Sequence, residues 1–449
     1  MKLVFASIFV VLLGLSLLAW SFQPRAVEHG RTVLTWVSDD NPVRKDQVHL
    51  FNKLHSNLTL RLDPNNGGME KVIVQSVAGV GPDLFDCYDG FQLSGYVKSG
   101  IAWDVTSQLK KAGIDEPRDV WPAALPLVML DGRVYGFPTN VCTNGLWYNR
   151  ELFDRAHVDY PTGSLTWEQF LPIARKLTIR DSEGRARQFG LLIDWANNWQ
   201  QFMIQWGGRL YSPDGTRCIV DSPDSVAGIQ FMHDLVYKEH VSPTPIEEAA
   251  MATQGGWGSG TITQFEQGAS ATAIGGRWWL CTLRGKGMKL GALECPHGPY
   301  RVFLGYGRAT LINKNSPRRQ QALEFLKYMD GRPYNKLVND DADALSAVIK
   351  WSYAPDYLLN PKYPDEDFNE VWRQEMKLAI PQQVSPFVNG QAAQRILTNQ
   401  IDLIKSDQKP VDEALHDAAR QINEEIQKTL KLEPDLRARY TALTGGARP

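Results

Sequence analysis

Short runs of β-branched and aromatic residues alternate along this chain with stretches whose apolar positions recur every three or four residues. Thr32–Val37 (TVLTWV) predicts a first strand, Val43–Leu54 a helix, and Leu58–Leu62, alternating in hydrophobicity, a second strand. Pro82-Asp83-Leu84-Phe85 opens a third short strand, and Phe91–Lys98 has helical spacing. Val134–Phe137, after the Asp131-Gly132 turn signal, and Leu146–Tyr148 continue the strand pattern. Thr166 reads as the N-cap of a helix with Phe170, Ile173, Ala174 and Leu177 on one face. Ser222-Pro223 starts another helix, Pro317–Met329 reads as a further one, and most of 367–430 is helical in pattern. Strands alternating with helices predict an α/β fold with parallel pairing.

Composition narrows the classes. The chain has 449 residues, 43% hydrophobic and 22% charged, enough for two to three cored domains. A net charge of −2 gives no electrostatic footprint for nucleic acid. Residues 1–23 carry one lysine and an apolar run from Leu3 to Phe22, which reads as a secretory signal or a retained N-terminal membrane anchor. No cysteine follows it for lipoprotein attachment. The five cysteines form no CxxC or Cys/His spacing, so no metal site is expected, and their odd number leaves at least one outside any intramolecular disulfide.

From Leu130 to Thr178 the chain reads LDGRVYGFPTNVCTNGLWYNRELFDRAHVDYPTGSLTWEQFLPIARKLT. This closely resembles the sugar-binding, maltose-binding-protein-like family of bacterial extracellular solute-binding proteins. Pro82–Leu109, Gly207–Pro243, Phe265–Trp279 and Phe303–Met329 resemble further family blocks in the same order, so the likeness covers most of about 31–430. It implies a two-lobed α/β periplasmic-binding-protein-like fold of type II, with ligand held between lobes joined by two or three crossing strands. Matching the blocks places lobe one at 31–139 plus 272–311 and lobe two at 140–271 plus 312–432. The chain is expected to cross near 139–141, 270–275 and 308–313, and 433–449 to form a loose tail.

A sugar offers apolar ring faces and a rim of hydroxyls, so its site needs aromatic platforms and planar polar groups. Loops after the carboxyl ends of strands are favoured positions. Trp36, Ser38 and Asp39 follow the first strand; the alternative for this cluster is capping of the next helix. Asp86, Tyr88 and Asp89 follow the third strand, with turn capping as their alternative. Asn140 and Asn144 fall near the expected hinge. Trp195, Asn198 and Trp199 crowd one segment, where the two tryptophans share a helix face and equally suit the core. Trp257 lies in the loop Gly255–Gly260. Gly276, Arg277 and Trp278 offer close backbone approach, a guanidinium fork and a ring. Tyr306 adds another ring, and Trp351 and Phe387 are weaker candidates.

No catalytic set stands out: the eight histidines are scattered, and Asp340-Asp341 and Glu247-Glu248 read as solvated loop charges. The resemblance implies a monomeric substrate-binding component of an ABC-type carbohydrate importer, periplasmic or at the cell surface, with no cofactor. Its partners would be a small sugar and the permease subunits, and its membrane contact only the N-terminal segment. Two alternatives share such a cleft: a membrane-anchored sugar sensor, and a secreted glycoside-active enzyme.

Overall fold

The computed structural model describes residues 2–21, 27–28, 30–65, 68–251 and 260–445. Two sheets organise the chain. The first runs in the order Val27–Glu28, Arg31–Val37, Leu84–Cys87, Phe303–Ile312, Gly136–Cys142, Leu345–Ser346; Leu58–Asp63 pairs with Arg31–Val37 and Ala379–Pro381 with Phe303–Ile312. Its first three long strands are parallel, as the βα alternation predicts, and Phe303–Ile312 enters antiparallel between Leu84–Cys87 and Gly136–Cys142. The second sheet has the order Leu290–Leu293, Gly145–Asn149, Ser270–Gly275, Ala186–Leu192, Ile179–Arg180.

Local signals explain the helices. Val43–Leu54 forms where its apolar spacing puts it, and buries Phe51 against Phe325 of the helix Arg319–Asp330. Thr166 and Gln169 make the reciprocal capping box that starts Trp167–Leu177. Ser222 caps Pro223–Tyr237, with Pro223 in the first turn.

The lobe boundaries read from the family blocks need correction. Ser270–Gly275 is no crossing segment: it pairs with Tyr148 on one side and Leu191 on the other, inside the second sheet. Phe303–Ile312 likewise stays within the first sheet over its whole length. The helix after it also belongs there, since Phe325 packs on Trp36 with ring centroids 5.0 Å apart. The chain passes between sheets at Thr143-Asn144, within 294–302, and within 382–389. The passage at 382–389 delivers the long helices Gly390–Lys405 and Val411–Leu432 to the second sheet's core, where Ile401, Leu415 and Ile422 join Ile229 and Met232. Most of the expected loose tail is helix instead: Pro434–Thr444 is helical and buries Tyr440 against Phe387, with ring centroids 5.3 Å apart.

All five thiols are free. The N-terminal run forms the helix Lys2–Ser21, with Ile8, Phe9 and Val10 exposed. No helix among the described residues is long and apolar enough to cross a membrane.

Candidate functional site

A cavity of about 630 Å³ opens between the two sheets and takes side chains from both. Asp39, Tyr88, Asp89 and Asn140 line it from the first sheet's strand ends. Asn198 and Trp199 come from the helix Trp195–Gln205, Trp278 from the turn after Ser270–Gly275, and Asn144 and Tyr306 from the junction. Nine of the residues singled out in the sequence thus meet at one place.

The rest fall behind the wall or outside the description. Trp36, Ser38 and Asp86 form a buried cluster beneath the cavity. Asp86 accepts from Trp36 Nε1 at 2.8 Å, Thr310 Oγ1 at 2.6 Å, Ser38 Oγ at 2.5 Å and Arg308 Nη1 at 2.7 Å. All four acceptor directions of that carboxylate are used within the protein. Arg277, expected to fork onto ligand, is fully buried; it donates to Asn369 Oδ1 and the carbonyls of Ala344 and Asn339, and stacks over Tyr357 at 4.8 Å. Trp195 packs in the second sheet's core. At Gly276 a Cβ would come within 2.5 Å of Tyr306 Oη and 2.6 Å of Trp278, so this glycine lets two rings close together and is not placed to approach a ligand. Trp257 and 255–259 of its loop lie outside the described residues. Trp351 bonds Asp330 O on the first lobe's flank, and Phe387 holds Tyr440.

The cavity's polar wall is a ladder of charges. Arg44 donates to Asp39 through Nε at 3.0 Å and to Asp343 through Nη2 at 3.2 Å, and Gln47 and Asn140 complete the Asp343 carboxylate at 2.8 and 3.1 Å. Tyr88 donates to Asp39 at 3.3 Å. Burial pulls the Asp39 carboxyl upward, but Arg44 and Arg308 outweigh it and leave the pKa below the usual carboxylate value. Burial raises Asp89, opposed by the backbone amides of Gln92 and Phe91 at the helix start it caps. Arg308 reaches the cavity edge at a bulge, where pairing shifts from Arg308–Asn140 to Ala309–Pro138. Its Nε and Nη2 have no hydrogen-bond partner among the described residues, and Nη2 stands 3.8 Å from Asp343.

The apolar side carries rings tied by polar edges. Trp278 Nε1 donates to Tyr306 Oη at 3.2 Å, and Tyr306 in turn donates to Asn144 Oδ1 at 2.6 Å. Asn198 uses Oδ1 to accept from the Asp194 amide at 2.9 Å, while its Nδ2 has no hydrogen-bond partner among the described residues. Planar amides, carboxylates and rings together suit a neutral polyhydroxylated ring. No group of three or more His, Cys, Asp or Glu among the described residues could hold a metal ion.

Sequence reasoning missed Asn41, Arg44, Gln200, Arg308, Asp343, Gln382 and Gln394, which also line the cavity. Arg308 had a usable signal, because strand alternation puts it on the same face as Tyr306. Asp343 had none: it stands in a turn near the acidic pair read as solvated, and only the fold brings it to Arg44.

The model of the bacterial extracellular solute-binding protein family matches residues 37–336, and the chain belongs to that family. Family and neighbours are substrate-binding proteins, not enzymes. The arabinooligosaccharide-binding protein of Halalkalibacterium halodurans is 24% identical over 246 residues, 54% of this chain and 48% of the relative; this chain thus spans about half that relative's length. The maltodextrin-binding protein of Bacillus subtilis is 22% identical over 379 residues, 80% of this chain and 81% of the relative. An ABC substrate-binding protein of Listeria monocytogenes in complex with cycloalternan superposes with a TM-score of 0.75 at 21% identity, covering 88% of this chain and 98% of its own. The maltose/maltodextrin-binding domain of Bdellovibrio bacteriovorus bound to maltotriose gives 0.72 at 16%, covering 88% and 100%. These two establish the fold as the two-lobed type II binding-protein architecture.

Proposed function

We propose that this chain is the substrate-binding component of an ABC-type carbohydrate importer, which captures a mono- or oligosaccharide by hinge closure and acts as an exported monomer. The observation that carries this reading is the cavity between the two sheets, with rings and planar polar groups supplied from both sides. A ligand touching both lobes favours the closed state by the contacts only that state completes. Asp39, Tyr88, Asp89, Asn140, Asn144, Asn198, Trp199, Trp278 and Tyr306 are the proposed ligand contacts. The names of the relatives, an arabinooligosaccharide-binding and a maltodextrin-binding protein, support a sugar over other solutes. The apolar N-terminal helix is read as the export signal.

A thermal-shift screen against neutral mono- and oligosaccharides tests the reading. A ligand at about 100 times its Kd stabilises the folded state by roughly 2.7 kcal/mol. At least one sugar should raise the melting temperature and, in small-angle scattering, shrink the radius of gyration. A panel covering arabino- and maltooligosaccharides with no stabilisation would refute the sugar; stabilisation without shrinkage would refute hinge closure. Steady release of reducing ends would favour the enzyme alternative.

A further inference from the structure

Glu375 sits where the two lobes join. Its helix, Glu370–Lys377, inserts Trp372 beside Trp147 of the second sheet, ring centroids 4.8 Å apart, and Met376 among side chains of the first lobe. The Glu375 carboxyl is completely buried and faces two crossing segments at once. Thr143 Oγ1 and Oε2 share a hydrogen bond of 2.5 Å, in which the hydroxyl donates to the carboxylate and accepts from the neutral acid, and Thr143 is half of the two-residue link between Gly136–Cys142 and Gly145–Asn149. The Cys295 amide donates to Oε1 at 2.7 Å, and Cys295 lies in the passage from Leu290–Leu293 to Phe303–Ile312. One carboxyl group therefore ties together two of the three connections between lobes. The residue after Thr143 is Asn144, which holds Tyr306 and through it Trp278 on the cavity wall.

We propose that Glu375 is a positioning residue for ligand capture, holding the two crossing segments in register through Thr143 and Cys295. This rests on the hinge-closure reading above. The group holds them as a neutral acid. No cation among the described residues is bonded to it: Arg301 is engaged by Glu294 at 2.8 and 3.1 Å. The other titratable groups facing it are Cys295 and Glu294 from the same passage, Cys142 from the first sheet and Tyr306 from the long strand. Burial pushes the carboxyl up to about 8 against the bonds from Thr143 and Cys295; Glu294 adds to the rise and Arg301 opposes it. Ionising an unpaired buried carboxylate is costly, so an opening that wets Glu375 becomes easier as pH rises from the ordinary carboxylate range through about 8, and no further above it.

Hydrogen exchange on the ligand-free full chain reads this directly, in peptides covering 143–149 and 294–297. After correction for the chemical rate, opening of the wild type should increase about tenfold per pH unit between pH 6 and 8 and level off above. Glu375→Gln, which keeps the shape and cannot ionise, should show a flat profile. The infrared band of a protonated carboxyl should be present in the wild type at pH 7 and bleach near pH 8. Thr143→Val should shift that band and raise exchange at pH 6, which keeps the test decisive if Glu375→Gln does not accumulate. A flat wild-type profile, or the same slope in Glu375→Gln, would overturn the role. Because no sugar is present, that failure leaves the importer reading standing, and a failed sugar panel leaves this result standing.

Discussion

Removing the Asp86 carboxylate separates a structural role from a ligand-contact role, because the two predict losses in different quantities. Asp86→Ala strips the acceptor from Trp36 Nε1, Ser38 Oγ and Thr310 Oγ1 and the counter-charge from Arg308, which is 2% exposed. Arg308 keeps Ser38 Oγ, at 2.9 Å, Asp343, at 3.8 Å, and the Trp36 face, at 5.3 Å, and of these only Asp343 is charged. Breaking a buried pair by removing one partner costs about 3–5 kcal/mol, whereas three neutral donors left unpaired would cost about 1–3 kcal/mol each if none found water. The cavity lies close enough to hydrate part of this cluster, so the ion-pair figure, about 3–5 kcal/mol, is the expected loss. Urea unfolding followed by tryptophan fluorescence measures it. Replacing both charges, as Asp86→Leu with Arg308→Met, removes the uncompensated ion and should restore more than half of the loss. A loss below about 1 kcal/mol in Asp86→Ala, or a double variant no better than the sum of singles, would refute the pillar assignment. Intact stability combined with lost sugar affinity would return Asp86 to the ligand.

Trp199→Ala and Trp278→Ala should each weaken sugar binding by at least about 2 kcal/mol, near thirtyfold, in calorimetry while the chain stays folded; unchanged affinity in both would remove the proposed aromatic wall. Arg277→Met should change affinity little and stability clearly, because its guanidinium bonds only protein atoms; a selective affinity loss at constant unfolding midpoint would contradict that. Tyr440→Ala should cost about 3 kcal/mol in urea unfolding, as other buried aromatic truncations do, whereas a neutral substitution would mean the C-terminal helix is not docked on Phe387.

The order of elements was legible because short-range physics decides it. Val43–Leu54 is a helix over the span its periodicity gives, and Thr166 and Ser222 cap where their side chains can accept an amide. Sheet membership is a long-range property, and there the family pattern misled. SATAIG at 270–275 is buried on both faces, so it reads alike as a crossing strand or as an inner strand; its neighbours, Leu191 and Tyr148, lie far away in sequence. The tail failed for a related reason. Pro434–Thr444 mixes polar and apolar residues, and its one buried side chain, Tyr440, has its partner in a loop before the long C-terminal helices.

The site shows the same division at the scale of side chains. Residue type told which loops approach the cavity, since rings and amides clustered after strand ends mark Asp39, Tyr88, Asn198 and Trp278 alike. It could not tell which member of each cluster faces inward. Trp36 and Trp278 are equally plausible platforms by composition, yet Trp36 points under the sheet because strand pairing with Leu84 sets its side opposite to that of Val37. Asp86 and Asp39 are both strand-end carboxylates, yet only one is buried among four donors. What separates them is Arg308, on a strand more than two hundred residues away that is inserted between Leu84–Cys87 and Gly136–Cys142. With that strand in place, Asp86 is neutralised from within and Asp39 is left at the cavity edge, paired with Arg44 and Tyr88 on one side and open on the other. The late strand that completes the first sheet therefore also decides which acid is left facing the cavity.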